Sequence, residues 1–241
     1  MRKTAAILVT IFALLLFSTT TVHATVSFES KIEDNIYVTC NFENLAEAVY
    51  DAAKANQQIF NGSTIPKIIA MNLEKQGLTR VTCEGVQDNT YVDANKAIHV
   101  SFLLGGADII SPTINRTTLK RACQVKTDWR KFQVNLTSNF QVDFAQHFAE
   151  PVDTWQKIDQ PDSAGNVHPA YFYETPETES LGKLSFKFIL PSTATNVQAN
   201  GDAITYDMPP SFDDVFLGSP LLILAAIIIV VVIALVYRRL K

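Results

Sequence analysis

TIPKIIAMNLEKQGLTRVTCE, running from Thr64 to Glu84, contains the change of hydrophobic period on which the fold turns. Up to Gly77 the apolar residues Ile65, Ile68, Ile69 and Leu73 recur at three- and four-residue spacing, which places them on one face of a helix. Thr64 stands where an N-cap belongs, Pro66 sits in the first turn, and Gly77 takes the C′ position that favours a left-handed backbone. A helix is therefore expected over 65–76. From Leu78 to Glu84 the apolar residues alternate instead, the mark of a strand with one buried face.

Towards the N-terminus, Ile36, Val38, Cys40 and Phe42 alternate in a strand over 35–42, and Leu45, Val49, Tyr50 and Ala53 form the stripe of a helix over 44–59. Towards the C-terminus the period stays at two. Ile98 to Leu104, Phe132 to Leu136 and Phe140 to Phe144 read as strands, and Lys183 to Leu190 turns Leu184, Phe186 and Phe188 inward. Asn196 to Ala199, the dipeptide Asn200-Gly201 and Asp202 to Tyr206 read as a type I′ hairpin. The polar stretches 159–169 and 174–182 read as loops or a hinge. Early helices and later strands predict an α+β fold, two helices packed on a largely antiparallel sheet, plus a C-terminal transmembrane helix.

The two ends carry the membrane signals. Arg2 and Lys3 precede the apolar run Ala5 to Phe17 and the small and polar run Ser18 to Ala24, the order of a secretory signal cleaved after Ala24. Leu217 to Tyr237 carries no charge, long enough for a helix to cross a hydrocarbon core of about 30 Å. Arg238, Arg239 and Lys241 follow it, whereas Asp207, Asp213 and Asp214 precede it, so the bias of bases puts the C-terminus in the cytoplasm. The expected organisation is a signal peptide over 1–24, an extracellular domain over 25–206, a juxtamembrane linker over 207–218, a transmembrane helix over 219–237 and a cytoplasmic tail over 238–241. This is a type I single-pass protein of the plasma membrane, partnered with the bilayer through its C-terminal helix. A four-residue tail has no room for an enzymatic or signalling module.

Five of the 20 bases lie at the ends, leaving 15 against 24 acids, so the extracellular part carries a charge near −9. That balance argues against a nucleic-acid partner, because such binders present basic faces. Cys40, Cys83 and Cys123 all lie in the translocated part. One disulfide and one free thiol is the arithmetic expectation, with Cys40 and Cys83 preferred because both sit on inward strand faces; three small buried hydrophobes that never bridge is the alternative. Asn61, Asn115 and Asn135 open N-x-S/T sequons and are glycosylation candidates.

Chemical motifs are scarce. The chain contains no G-x-S-x-G, H-E-x-x-H, G-x-x-x-x-G-K, G-x-G-x-x-G or EF-hand pattern, and no catalytic, metal or cofactor site is assigned. Asp143, His147 and His168 would approach a metal site only if 143–147 were helical, and the alternation of Phe140, Val142 and Phe144 favours a strand. Gly105-Gly106 after a strand reads as a bulge or tight turn. Tyr171, Phe172, Tyr173, Trp155 and Trp129 read first as sheet core and second as a groove for an amphiphile or glycan.

The pattern Asn44-Leu45-Ala46-Glu47 after a strand, the helix pair, and Leu190-Pro191-Ser192-Thr193-Ala194-Thr195-Asn196-Val197 with its Asn200-Gly201 hairpin resemble the ectodomain of LppM-type prokaryotic surface lipoproteins. The whole arrangement is also similar to archaeal single-pass surface proteins. The chain departs from the lipoproteins in having no lipobox cysteine after its signal. The resemblance implies an amphiphile- or lipid-binding fold and transfers no individual residue. Two functions are therefore expected: a non-catalytic ectodomain that interacts with envelope components or surface proteins, or an extracytoplasmic module for a lipid or small ligand. A cavity favours the second and a filled core the first.

Overall fold

The computed structural model describes residues 24–58, 61–86, 90–115, 120–137, 140–176 and 182–210, with positions 224, 227–230, 233, 237 and 238 beyond them. The signal segment up to residue 23 and most of 211–241 lie outside the described residues. Among the described residues no helix is long and apolar enough to cross a membrane.

The fold is mixed α+β, rich in antiparallel strands. Its main sheet is built on β1 (Thr25–Ile32) and β2 (Ile36–Glu43), joined by a tight turn. The two helices follow, α1 (Glu47–Ala55) and α2 (Ile65–Lys75), then β3 (Thr82–Gly85), β4 (Thr90–Val92) and β5 (Ala97–Gly105). Later come the hairpin β10 (Gln156–Pro161) and β11 (Val167–Glu174), and β12 (Lys183–Ile189). The order across the sheet is β10-β11-β12-β1-β2-β5-β3, with β4 also on β5, and only the β1–β12 pairing is parallel. A second, four-stranded antiparallel sheet runs β13 (Thr195–Asn200), β14 (Ala203–Met208), β7 (Arg121–Lys126), β6 (Ile110–Ile114). β8 (Gln133–Thr137) and β9 (Phe140–Asp143) form a separate ribbon.

Register turns the alternation into rows. Leu184, Val26, Phe42 and Ile98 stand side by side across four strands, and Phe186, Phe28, Cys40 and Val100 form the next row. Tyr173 extends that row on β11. Cross-strand neighbours on one face pack directly, so these rows make a continuous apolar surface. Phe144, Phe148, Trp129 and Trp155 close over it: Phe28 meets Phe144 edge-on at 4.9 Å and stacks on Phe186 at 5.3 Å, and Trp155 stacks on Phe188 at 5.7 Å. Tyr50 and Ala53 of α1 and Ile65, Ile69 and Leu73 of α2 are buried in the same core. Much of the cover over β1 and β12 thus comes from aromatic side chains in the turns rather than from a layer of helices.

Several local expectations shift. The α2 N-terminus is capped by Asn61, not Thr64: its Oδ1 accepts from the Ser63 and Thr64 amides, both at 2.9 Å. Gly77 does take the left-handed conformation, with φ +88°. After β9 the chain makes one helical turn, α3 (Phe144–His147), because the Asp143 carboxylate accepts the Ala145 amide and so starts a helix where a strand was expected. The stretch 159–169 is not a loop but the β10–β11 hairpin, whose turn is folded by Asp162. In the β13–β14 hairpin the central residues are Gly201 and Asp202, and only Gly201 has a positive φ, which fits a type II′ turn instead of type I′. The last strand also continues to Met208, two residues into the segment expected to be linker.

Gly105-Gly106 is a tight turn. Gly106 has φ +104°, and a Cβ there would run into the Arg80 carbonyl, while its own carbonyl accepts the amides of Ile109 and Ile110. Gly106→Ala combines backbone strain with a clash against main chain, so a loss of about 2 kcal/mol or more is expected from urea denaturation.

Candidate functional site: a cleft between the two sheets

The large sheet uses one face for its aromatic core. On the opposite face, Lys31 of β1 stands beside Ile189 of β12, Ile189 beside Ala170 of β11, and His168 lies two residues along β11. The strand alternation that sends Phe28 and Phe186 inward puts these residues here. The ends of β1 and β12 meet the second sheet at this point, and between them lies a cleft of about 590 Å³. That volume falls in the range of roughly 300–1,000 Å³ typical of small-ligand sites.

The floor is apolar: Ile32, Ile110, Ile189 and Leu190 with Tyr206 and Met208. Cys123 and Tyr206 contribute polar atoms but not charge, because burial pushes both the thiol and the phenol upward in pKa. The rim carries both signs. Lys31 Nζ is 3.7 Å from Glu29 Oε1, Arg121 Nη1 is 3.5 Å from Asp34 Oδ1, and His168 Nε2 is 3.3 Å from Asp162 Oδ2.

The third pair is the most constrained. Asp162 accepts from the Asn166 side chain at 2.9 Å, the Asn166 amide at 2.8 Å and the Ala164 amide at 2.9 Å. These bonds, with the Asn166 contacts foremost, hold its carboxyl near a pKa of about 2, so it is ionised throughout the neutral range. His168 Nδ1 lies 2.9 Å from the Leu190 carbonyl, another acceptor. His168 thus links Asp162 in the β10–β11 turn to the Leu190 carbonyl in the chain leaving β12.

The sequence candidates distribute unevenly around this cleft. Cys123 lines it; Cys40 and Cys83 do not. All three cysteines are free thiols. The expected Cys40–Cys83 bridge is excluded by register: Cys40 lies opposite Val100 on one side of β5 and Cys83 opposite Leu104 on the other. Two strand spacings and four residues of rise separate their Cα atoms by about 16 Å, against a bridging limit near 7 Å. Burial raises the pKa of Cys40 and Cys83 as well, which suppresses thiolate chemistry.

Of the sequons, Asn115 is exposed after β6, while the Asn61 Nδ2 donates to the Gln57 carbonyl at 2.8 Å and the Gln58 carbonyl at 2.9 Å. Both hydrogens of that amide are engaged, so a glycan at Asn61 must displace one of these bonds. Asn135 has its backbone in β8 opposite Gln141, and its side chain lies outside the described residues. Of the aromatic cluster expected first as sheet core, Trp129, Trp155 and Tyr171 are buried there, whereas Phe172 and Tyr173 are only half-buried. Among the described residues no three His, Cys, Asp or Glu side chains are grouped to hold a metal.

Sequence reading missed most of the rim. Glu29, Lys31, Asp34, Arg121 and Asp162 look like ordinary solvent-facing charges, and only the fold brings β1, β7 and the β10–β11 turn together. No protein family, curated protein or solved structure matches this chain.

Proposed function

We propose that this chain is a type I single-pass surface protein, anchored by an apolar helix over 219–237, whose extracytoplasmic domain holds a small amphiphilic molecule in the cleft between its two sheets. The helix pair serves as scaffold rather than as part of the binding wall. The observation that carries the reading is the cleft itself, with its uncharged floor and a rim where Lys31 meets Glu29, Arg121 meets Asp34 and His168 meets Asp162. An apolar pocket with a few convergent polar groups suits an amphiphile: the tail gains burial and the head keeps polar partners. The role is holding, not conversion. His168 and Asp162 are committed to each other and to main-chain partners, and Cys123 has its thiol pKa raised by burial.

A second reading, an ectodomain that contacts other surface proteins, draws support from the filled aromatic core, which leaves no room for a ligand between sheet and helices. One experiment separates the two. The full chain is purified in a non-ionic detergent, and bound amphiphiles are extracted and identified by mass spectrometry, alongside the variant Met208→Trp. Met208 is half-buried at the cleft, so the larger side chain fills the volume without entering the main core. The expected result is an amphiphile retained by the wild type and lost by the variant, with unchanged near-ultraviolet circular dichroism. Equal retention by both would mean that the lipid is only annular, and the cleft reading would fall.

A further inference from the structure

The rim pairs specify the head group. We infer that the cleft takes a zwitterionic amphiphile drawn from the membrane in which the chain is anchored; this rests on the cleft reading above. Two of the rim pairs offer an acid and a base, Glu29 with Lys31 and Asp34 with Arg121, beside the contact of Asp162 with His168. The first two are long, at 3.7 and 3.5 Å, compared with about 2.7–2.9 Å for a strong charge-assisted hydrogen bond. The Asp34 side chain is 96% exposed, so its pairing with Arg121 is held weakly against water.

Loose pairs of this kind are open to exchange. A head group bearing an ammonium and a phosphate replaces each internal partner with one of its own, the ammonium meeting Asp34 or Glu29 and the phosphate meeting Arg121 or Lys31, and no charge is left uncompensated. An anionic head satisfies the bases alone and sets its charge against the displaced carboxylates, while a cationic head does the reverse. A neutral head must separate the pairs and return nothing. The rim therefore discriminates by complementary charge and by penalty against the wrong sign.

The source follows from where the chain leaves the domain. Met208, the last residue of β14, lines the cleft. From there to 219, where the apolar segment begins, the sequence spans eleven residues, at most about 40 Å of extended chain. The cleft is thus tethered near the bilayer surface, where membrane lipid is the most concentrated amphiphile, and the tether raises its effective concentration.

The test uses the full chain in maltoside micelles, titrated with four probes followed by intrinsic fluorescence or calorimetry: a lysophosphatidylethanolamine, the lysophosphatidylglycerol and monoacylglycerol of the same chain length, and glycerophosphoethanolamine, which has the head and no tail. The lysophosphatidylethanolamine is expected to bind at least tenfold more tightly than the other two tailed probes, with no saturable binding of the head alone. Asp34→Asn, at an exposed position that leaves folding intact, is expected to bring that advantage down to threefold or less. Equal affinity for the three tailed probes, or preference for the anionic one, would overturn the zwitterion assignment and leave the cleft reading standing. Tight binding of the tail-free head would overturn the membrane source. Absence of binding by all four would overturn both the inference and the reading on which it rests.

Discussion

Phe28→Ala is expected to cost about 3–5 kcal/mol, the range for removing a large aromatic from a packed core. Phe28 sits at the centre of the aromatic core, 2% exposed, with ring contacts to Phe42, Phe132, Phe144, Phe148 and Phe186 at centroid distances of 4.9–6.2 Å. It lies on β1, which pairs antiparallel with β2 on one side and parallel with β12 on the other, so the cavity would open at the one parallel pairing that joins the two antiparallel parts of the sheet. Domains are stable by only about 5–15 kcal/mol, so one such loss is a large fraction of the whole. Guanidinium denaturation should show a lower midpoint with an unchanged slope, and Phe28→Leu should recover a substantial part of the loss. A change below about 1 kcal/mol would mean that the aromatic cover is not packed as described.

Asp202→Ala is expected to cost about 3 kcal/mol, because it strands a buried cation. Arg130 is 0% exposed and donates to Asp202 at 2.8 Å, to the Glu150 carbonyl at 2.7 Å and to the Thr127 carbonyl at 2.9 Å, with its guanidinium carbon 5.0 Å from the Trp155 ring. Asp202 also accepts from Lys131 at 2.7 Å, so this one carboxylate ties the tip of the β13–β14 hairpin to the segment between β7 and β8. Without it, Arg130 keeps its carbonyl partners but loses its counter-charge. The double variant Arg130→Met, Asp202→Ala should be less destabilised than Asp202→Ala alone, since the buried charge is then gone as well.

The same carboxylate gives the prediction a pH signature. Burial raises the Asp202 pKa, but hydrogen bonds from Lys131 and Arg130 outweigh it, so the folded value lies below the ordinary one. A depressed folded pKa contributes stability that is complete above the unfolded value near 4 and is lost as pH falls through the folded value. Wild type should therefore weaken below about pH 5, and Asp202→Ala should weaken less steeply over the same window. Asp162, with its folded value near 2, adds to the acid sensitivity of both proteins alike.

How much of this was legible in the sequence depends on whether a feature is local. Helix α2 was readable because Pro66, Leu73 and Gly77 act within one element, and its observed span Ile65–Lys75 differs from the expected one by a single residue. Leu184, Phe186 and Phe188 were readable for the same reason, and all three are 0% exposed. Strand β1 escaped notice although it lies at the middle of the sheet. It follows directly on the signal segment, and Ser30 interrupts the alternation of Val26, Phe28 and Ile32. The β10–β11 hairpin escaped because its outer residues are polar, as suits an edge strand, and polar runs read as loops.

The cleft was illegible for a different reason. Its floor combines Ile32, Ile110, Ile189 and Met208, which come from both sheets and are separated by up to 176 positions in the chain. Each is an ordinary apolar residue in its own strand, and each rim charge is an ordinary solvent-facing residue in its own element. Only the parallel pairing of β1 with β12 sets their ends against the second sheet, and no local signal announces a parallel pairing between segments so far apart.

The claim that the inter-sheet cleft is a binding site is tested most directly by photo-crosslinking. The full chain in maltoside micelles is incubated with a lysophosphatidylethanolamine bearing a diazirine in its acyl chain, irradiated, and digested for peptide mapping. Labelling is expected on the peptides that contain Ile189 to Ser192 and Tyr206 to Met208, and it should vanish in Met208→Trp. Labelling confined to 219–237, unchanged by that substitution, would contradict the account.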